Sequence, residues 1–167
     1  MKRFFALLVA TWFGSGLIPP VILTGMAGTY GSLAALPLCY IALVLSPLWY
    51  AILVLCVFCV GIWSVPAAEK MLGPRKDWQG KIRERDQNEI VIDEVLGMLV
   101  TYTPLLWVRH NALAFLVAFA AFRLFDIVKP WPARYFDRAE NSMGVMLDDV
   151  VAGIYAALVL VVFHAVS

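Results

Sequence analysis

Asp93 and Glu94 in IVIDEVLGM, Asp126 in FRLFDIVKPWPARYFD, and Asp148 and Asp149 in MLDDVVAGIYAALVLVV are five carboxylates set in segments that otherwise read as hydrocarbon. Pooled in one pocket they would repel one another unless a cation neutralised them, and hard carboxylate oxygens suit Mg²⁺. The same stretches supply groups suited to an anion: Arg123, Lys129, Arg134 and Arg138. GTYGS at 28–32 adds backbone N–H groups and the hydroxyls of Thr29 and Ser32, and glycine-rich turns leading into helix starts bind phosphate well. Carboxylates, cations and a glycine turn together point to a divalent metal acting on the phosphate of a lipid.

The elements that must hold these groups follow from composition. The chain has 167 residues, 62% of them hydrophobic and 15% charged, against roughly 25% charged in soluble domains. It reads as an integral membrane protein, and a crossing of about 20 residues leaves room for one domain spanning 1–167 and no separate soluble one. The predicted class is all-α, a polytopic helix bundle with about five crossings plus a broken or re-entrant N-terminal segment. That segment, 4–23, is interrupted by Gly14, Gly16 and the pair Pro19 and Pro20. Next, the turn GMAGTYGS at 25–32 leads to helices at about 32–45 and 47–67, separated by Ser46 and Pro47. A polar loop at 68–89 follows, then a second hairpin of 90–108 and 112–128, and a last span at 150–166.

Charge distribution sets the orientation. No Asp, Glu, Lys or Arg occurs from Phe4 to Ala68. Positive loops mark the cytoplasmic side, which places the amino terminus, the 68–89 loop and the 129–147 loop there. On this topology 24 of the 25 charged side chains lie on or near one side, and Arg109 alone lies on the other. The basic, apolar start resembles a signal peptide, but no small-x-small cleavage site follows and the segment is expected to be retained. Cys39, Cys56 and Cys59 all fall in apolar stretches, and CVFC is expected to be buried packing.

Span length then shows that some charges sit deep. Fourteen uncharged residues separate Glu94 from Arg109, and 13 separate Arg109 from Arg123. Such runs reach only about 20 Å at 1.5 Å per residue, short of a hydrocarbon core of roughly 30 Å. Asp93, Glu94, Arg123 and Asp126 are therefore drawn below the surface, where each charge costs at least about 2.5 kcal/mol near the centre and usually faces a polar site. Arg123 and Asp126 share a helical face, as do Asp93 with Gly97 and Asp149 with Gly153. Those glycines permit close helix approach, which would converge the carboxylates.

These stretches together resemble the phosphatidylglycerophosphatase A family of bacterial membrane enzymes. The likeness rests on GSG at 14–16, GTYGSLAALP at 28–37, IVIDEVLGM at 90–98, FRLFDIVKPWPARYFDR at 122–138 and MGVMLDDVVAG at 143–153. It departs at NSMG, 141–144, where the family more often has a glycine pair before Met-Gly. The resemblance implies Mg²⁺-dependent removal of the terminal phosphate of phosphatidylglycerophosphate, yielding phosphatidylglycerol in phospholipid biosynthesis. It also implies a multi-pass protein of the bacterial inner membrane with its active site facing the cytoplasm.

The residues exclude other phosphatase strategies. There is no Cys-x5-Arg and no Asp-x-Asp, and the only histidines, His110 and His164, are predicted on the far side. Metal-assisted hydrolysis remains, with water or a carboxylate as the nucleophile. Asp93, Asp126 and Asp149 are expected to ligate the metal, with Glu94 or Asp148 as a further ligand, a supporting partner or a general base. Arg123, Lys129, Arg134, Thr29 and Ser32 are expected to hold the substrate phosphate. Blander roles compete: helix-start acids for Asp148 and Asp149, topology signals for Lys129, Arg134 and Arg138, loop ion pairs for Asp137 and Glu140, and an interfacial anchor for Trp131. A transporter would spread polar groups through the whole thickness, whereas here they gather on one side, and a purely structural subunit would not need five acids at one depth.

Overall fold

The computed structural model describes residues 2–18, 26–76, 80, 82–85, 87–108, 111–139 and 141–166. Pro19, Pro20, Lys81, Arg109, His110 and Glu140, on which some of the expectations above rest, lie outside them. Among the described residues seven α-helices dominate: α1 (Lys2–Ala10), α2 (Ala27–Ala42), α3 (Pro47–Leu72), α4 (Ile92–Tyr102), α5 (Ala112–Val128), α6 (Ala133–Asp137) and α7 (Ser142–Val166).

Local chemistry sets several of the ends. Pro47, at the first turn of α3, needs no N–H partner and starts that helix after Ser46. The Asn111 side chain accepts a hydrogen bond from Ala114 N at 2.9 Å and caps α5. After α1, Trp12, Phe13 and Gly14 all take positive φ, which turns the chain into a short 3-10 helix at Ser15–Leu17. The break foreseen in this segment therefore begins before Gly14. The turn is held by Thr11, whose hydroxyl donates to Leu7 O and accepts from Gly14 N.

α7 is the central element, packed against α3, α4, α5 and α6, while α2 lies on α4 and α1 on α3. The main core joins α2 to α5 and α7 through Cys39, Tyr50, Leu99, Tyr102, Phe122 and Leu160. Its buried hydroxyls are satisfied, Tyr50 donating to Leu99 O at 2.6 Å and Tyr102 to Phe115 O at 3.0 Å. A smaller cluster of Ala10, Val65, Ala68, Ile92, Leu96 and Met146 joins α1, α3, α4 and α7. Val91 N donates to Ala10 O at 2.9 Å, tying α1 to the entrance of α4.

The helical class expected from the sequence is what the chain forms, with differences that have physical reasons. By length and composition α3 and α7 are long and apolar enough to cross a membrane. α2 and α5 have 16 and 17 residues, and α4 has 11 before a 3-10 turn at Thr103–Leu106. The segment GTYGS is not a turn but the first turns of α2, because glycine here serves packing: a side chain at Gly31 would strike Val91. α7 begins at Ser142 rather than near Val150, so Asp148 and Asp149 lie in its second turn and not at its threshold. Within 68–89, α3 continues to Leu72 and a two-residue antiparallel ribbon pairs Arg75 with Arg83 and Lys76 with Ile82. Cys39 is buried, but Cys56 and Cys59 are exposed, on the outer side of a helix whose apolar surface is far larger than its neighbours cover.

Two glycines decide how closely α4 and α7 approach. A Cβ at Gly153 would stand 2.6 Å from Gly97 O and 3.0 Å from Val100 Cβ, and one at Gly97 would stand 2.9 Å from Asp149 O. The backbones touch where the sequence placed glycine one turn beyond each acid. Because the obstruction is backbone, it cannot move aside. Gly153→Ala is expected to destabilise the protein by about 1–3 kcal/mol, read as a lower midpoint of thermal unfolding in mild detergent; an unchanged midpoint would show that the crossing is loose.

Candidate functional site

With α4 and α7 in contact at Gly97 and Gly153, the turns just before the crossing converge their acids. Asp93, Asp148 and Asp149 are buried, and Glu94 is half-buried. One oxygen from each of Asp93, Glu94 and Asp149 lies within 4.8 Å of the others. Oε2 of Glu94 and Oδ2 of Asp149 are buried and receive no hydrogen bond among the described residues. Buried carboxylate oxygens gathered without donors are costly, and a hard divalent cation is what such a set fits. These three residues could hold a metal.

The acids share a cavity of about 290 Å³ with Arg123, Asp126 and Lys129, and it is also lined by Gly28, Arg83, Gln87 and Asn88. Arg123 and Asp126, one turn apart on α5, form an ion pair of 2.5 Å. Asp126, expected as a metal ligand, thus lines the cavity but has its carboxylate engaged by Arg123. The other ties of Arg123 run to α2: Nη1 donates to Ser32 Oγ at 3.4 Å, and Ser32 Oγ donates to Gly28 O at 2.8 Å. Arg123 Nε is buried with no acceptor among the described residues, which leaves a donor for an incoming anion. Gly28 makes room for this arrangement, since a Cβ there would lie 3.0 Å from Arg123 Nη1 and against the Glu94 carboxylate.

Lys129 closes the cavity. It ends α5 in the left-handed conformation, φ 46°, where glycine is the usual residue, so its side chain has a use that outweighs the strain. The ammonium binds Asp148 Oδ2 at 2.5 Å and also Asp137. Burial alone would lower its pKa, but the charges of Asp148 and Asp149 outweigh that and hold it above its ordinary value. Asp148 Oδ1 in turn accepts from Asp149 N at 3.0 Å. The two adjacent acids differ in surroundings: Asp149 joins the carboxylate group and Asp148 meets a cation.

The remaining expected residues fall elsewhere. Thr29 stands on the first turn of α2 beside Gly28 but does not line the cavity. Arg134 lines a separate groove with Arg138, which meets the acid cavity at Lys129. His164 lies near the far end of α7, its ring nitrogen 2.9 Å from Leu160 O. Sequence reading missed Gln87 and Asn88 and treated Arg83 as a topology signal. Gln87 is buried and donates to Gly73 O and Glu84 O at 3.1 and 2.8 Å, pinning the loop over the acids, and Arg75 binds Glu89 at 3.0 Å in the same loop. Their only sequence signal is the density of polar residues between two apolar helices. A larger groove between α3, α4 and α7, about 440 Å³, is lined by apolar side chains such as Phe58, Leu96 and Val150 and holds no group that could act on a phosphate.

The chain is similar to known proteins along most of its length. The phosphatidylglycerophosphatase A family profile matches residues 8–164. A phosphatidylglycerophosphatase A of Escherichia coli (strain K12) is 37% identical over 159 residues, covering 92% of this chain and 80% of that protein. One of Haemophilus influenzae (strain Rd) is 37% identical over 155 residues, covering 92% and 85%. A protein of Bacteroides thetaiotaomicron, provisionally named a phosphatidylinositol-3-phosphatase, is 35% identical over 171 residues, covering 97% and 96%. No solved structure matches.

Lys129 and Asp148 are expected to be energetically coupled. In a double-mutant cycle of Lys129→Met and Asp148→Asn, unfolding in detergent should show a coupling on the order of 1–3 kcal/mol, and additivity would argue against the pair. The sign of the pKa shift adds a condition. A raised lysine pKa keeps this contribution fully present below the unfolded value of about 10.4 and loses it only as pH rises through the higher folded value. No step from this lysine should appear between neutrality and about pH 10.

Proposed function

The chain belongs to the phosphatidylglycerophosphatase A family, and on that footing we propose that it hydrolyses the terminal phosphate monoester of phosphatidylglycerophosphate to phosphatidylglycerol and inorganic phosphate. The observation that carries this reading is the group of buried carboxylate oxygens of Asp93, Glu94 and Asp149 beside Arg123, whose Nε has no acceptor among the described residues. A cation and a phosphate together would satisfy both.

Asp93, Glu94 and Asp149 would hold Mg²⁺, which when bound polarises a phosphoryl oxygen and acidifies a coordinated water. The chain's own residues do the rest. Arg123, oriented by Asp126 and Ser32, neutralises the equatorial oxygens of the transferring phosphoryl group. Lys129 adds positive charge at the wall of the same cavity, fixed by Asp148 and Asp137. As water adds to phosphorus, the bond to the glycerol oxygen breaks and the proton lost by water ends on that leaving oxygen. Asp148 has its carboxylate engaged by Lys129, so its role is to hold that lysine and to brace Asp149.

The surrounding reading is a single membrane-embedded domain of the bacterial inner membrane with about five crossings. On this reading the shorter α2, α4 and α5 cross beside α3 and α7, and α1 enters and returns on one side. Its support is that the acids of α4 and α7, the last turn of α5 and the basic 69–89 segment all meet at the cavity, with the positive loops turned to the cytoplasm. The substrate's acyl chains then stay in the bilayer while the monoester reaches the acids.

Purified protein in mild detergent is expected to release phosphate from phosphatidylglycerophosphate with Mg²⁺ and to stop in excess chelator. Preferential turnover of phosphatidylinositol 3-phosphate would replace the substrate but not the site. Arg123→Gln should lower kcat by about 10²–10³-fold. Mg²⁺ at a hundredfold excess over its Kd should stabilise the wild type by about 2.7 kcal/mol, and Asp149→Asn should abolish that gain. A variant stabilised as well as the wild type would remove Asp149 from the metal set.

A further inference from the structure

Arg134 and Arg138 stand one helical turn apart at α6, on the same face. Together with Lys129, Trp131 and Tyr135 they line a groove of about 580 Å³. Elsewhere around the site the cations are matched to acids: Arg75 to Glu89, Arg123 to Asp126, Lys129 to Asp137 and Asp148. Among the described residues, neither Arg134 nor Arg138 has such a partner. The groove is not a loose surface feature. Tyr155 Oη on α7 donates to Trp131 O at 2.9 Å and its ring packs 5.4 Å from that of Phe125, which fixes the segment between α5 and α6. Lys129 lines both this groove and the acid cavity, its ammonium already engaged by carboxylates. An anion in the groove would therefore meet the two arginines.

Resting on the phosphatase reading above, we infer that this groove binds the phosphodiester of the same lipid whose monoester enters the acid cavity. Such a lipid presents two anions side by side, and the groove and the acid cavity adjoin at Lys129. In phosphatidylglycerophosphate one glycerol unit separates the monoester from the phosphodiester that carries the acyl chains. Phosphatidylinositol 3-phosphate has the same plan with an inositol as the spacer, so the substrates that the relatives are named for share it. Guanidinium groups are suited to phosphate oxygens. The groove also has an apolar margin: Val128 lines it, and Ile127 and Val128 at the end of α5 are exposed, a path for acyl chains leaving the diester toward the bilayer. Recognition of the diester separates such lipids from phosphatidate, whose only phosphate is a monoester.

The test compares kcat/KM for short-chain phosphatidylglycerophosphate and for phosphatidate with the same chains, in uncharged detergent with Mg²⁺. Wild-type turnover of phosphatidylglycerophosphate or phosphatidylinositol 3-phosphate is established first, and its failure would count against the phosphatase reading alone. For Arg134→Gln/Arg138→Gln the preference for the diester-containing lipid is expected to fall by at least about tenfold, chiefly through KM. An unchanged ratio overturns the inference, including the case in which both activities fall together. A measurement on the wild type does not depend on how the variant folds. Short-chain phosphatidylglycerol, which has the diester and no monoester, should inhibit competitively, and absence of competition overturns the inference as well. Repeating the comparison with anionic lipid added separates the two sources of a diester. If added anionic lipid, rather than the substrate's own diester, accounts for the arginines' effect, the ratio in uncharged detergent will not change.

Discussion

Three carboxylates held within 4.8 Å of one another in a buried pocket repel, and the repulsion grows as water is excluded. Such an arrangement persists only if the scaffold allows no relaxation. The scaffold here is the close approach of α4 and α7 at Gly97 and Gly153, where a Cβ on either glycine would stand within 2.9 Å of the other helix's backbone. Lengthening either glycine by one carbon would part the helices and draw Asp93 away from Asp149. The site is thus a property of helix separation before it is a property of the acids.

Compensation comes from outside that helix pair. Arg123, a turn before the end of α5, and Lys129, just after it, bring positive charge to the rim of the cavity, and each is anchored by an acid that is not one of the three. Anchoring matters because a long side chain free to rotate loses conformational entropy on binding, and a fixed one does not. Ser32 and Gly28 extend the same logic to α2, where smallness lets Arg123 and Glu94 come close. The polar segment pinned by Gln87 completes the enclosure. A phosphatase acting at a membrane needs such an enclosure on one side only, since its substrate arrives from the lipid.

Much of this was legible in the sequence because helical spacing is a geometric statement. A spacing of three from Arg123 to Asp126 meant one face, and the ion pair formed there; a spacing of four from acid to glycine meant an approach just beyond each carboxylate. What misled was composition read without packing. GTYGS has the residues of a turn, yet α2 runs through it because its glycines are needed against α4. SMGVMLDD ends in two acids and so reads as the approach to a span, yet it forms the start of α7, where Lys129 at the end of α5 meets Asp148. Cys56 and Cys59 read as buried only on the assumption that apolar means inside, which does not hold for a helix as apolar and as little covered as α3. Gln87 and Asn88 could not be found, since irregular segments have no period from which position can be inferred.

One feature of the α6 and α7 junction reaches further than its size suggests. A Cβ at Gly144 would lie 2.5 Å from Phe136 O and 2.9 Å from Ala139 Cβ, so the first turn of α7 sits on α6 with no slack. Lys129, just before α6, is tied at the same time to Asp137 in that helix and to Asp148 in α7. Close-packed contacts of this kind transmit displacement rather than absorb it. α6 and the acidic turn of α7 are therefore joined without slack, and a displacement of the short helix would be felt at Asp149.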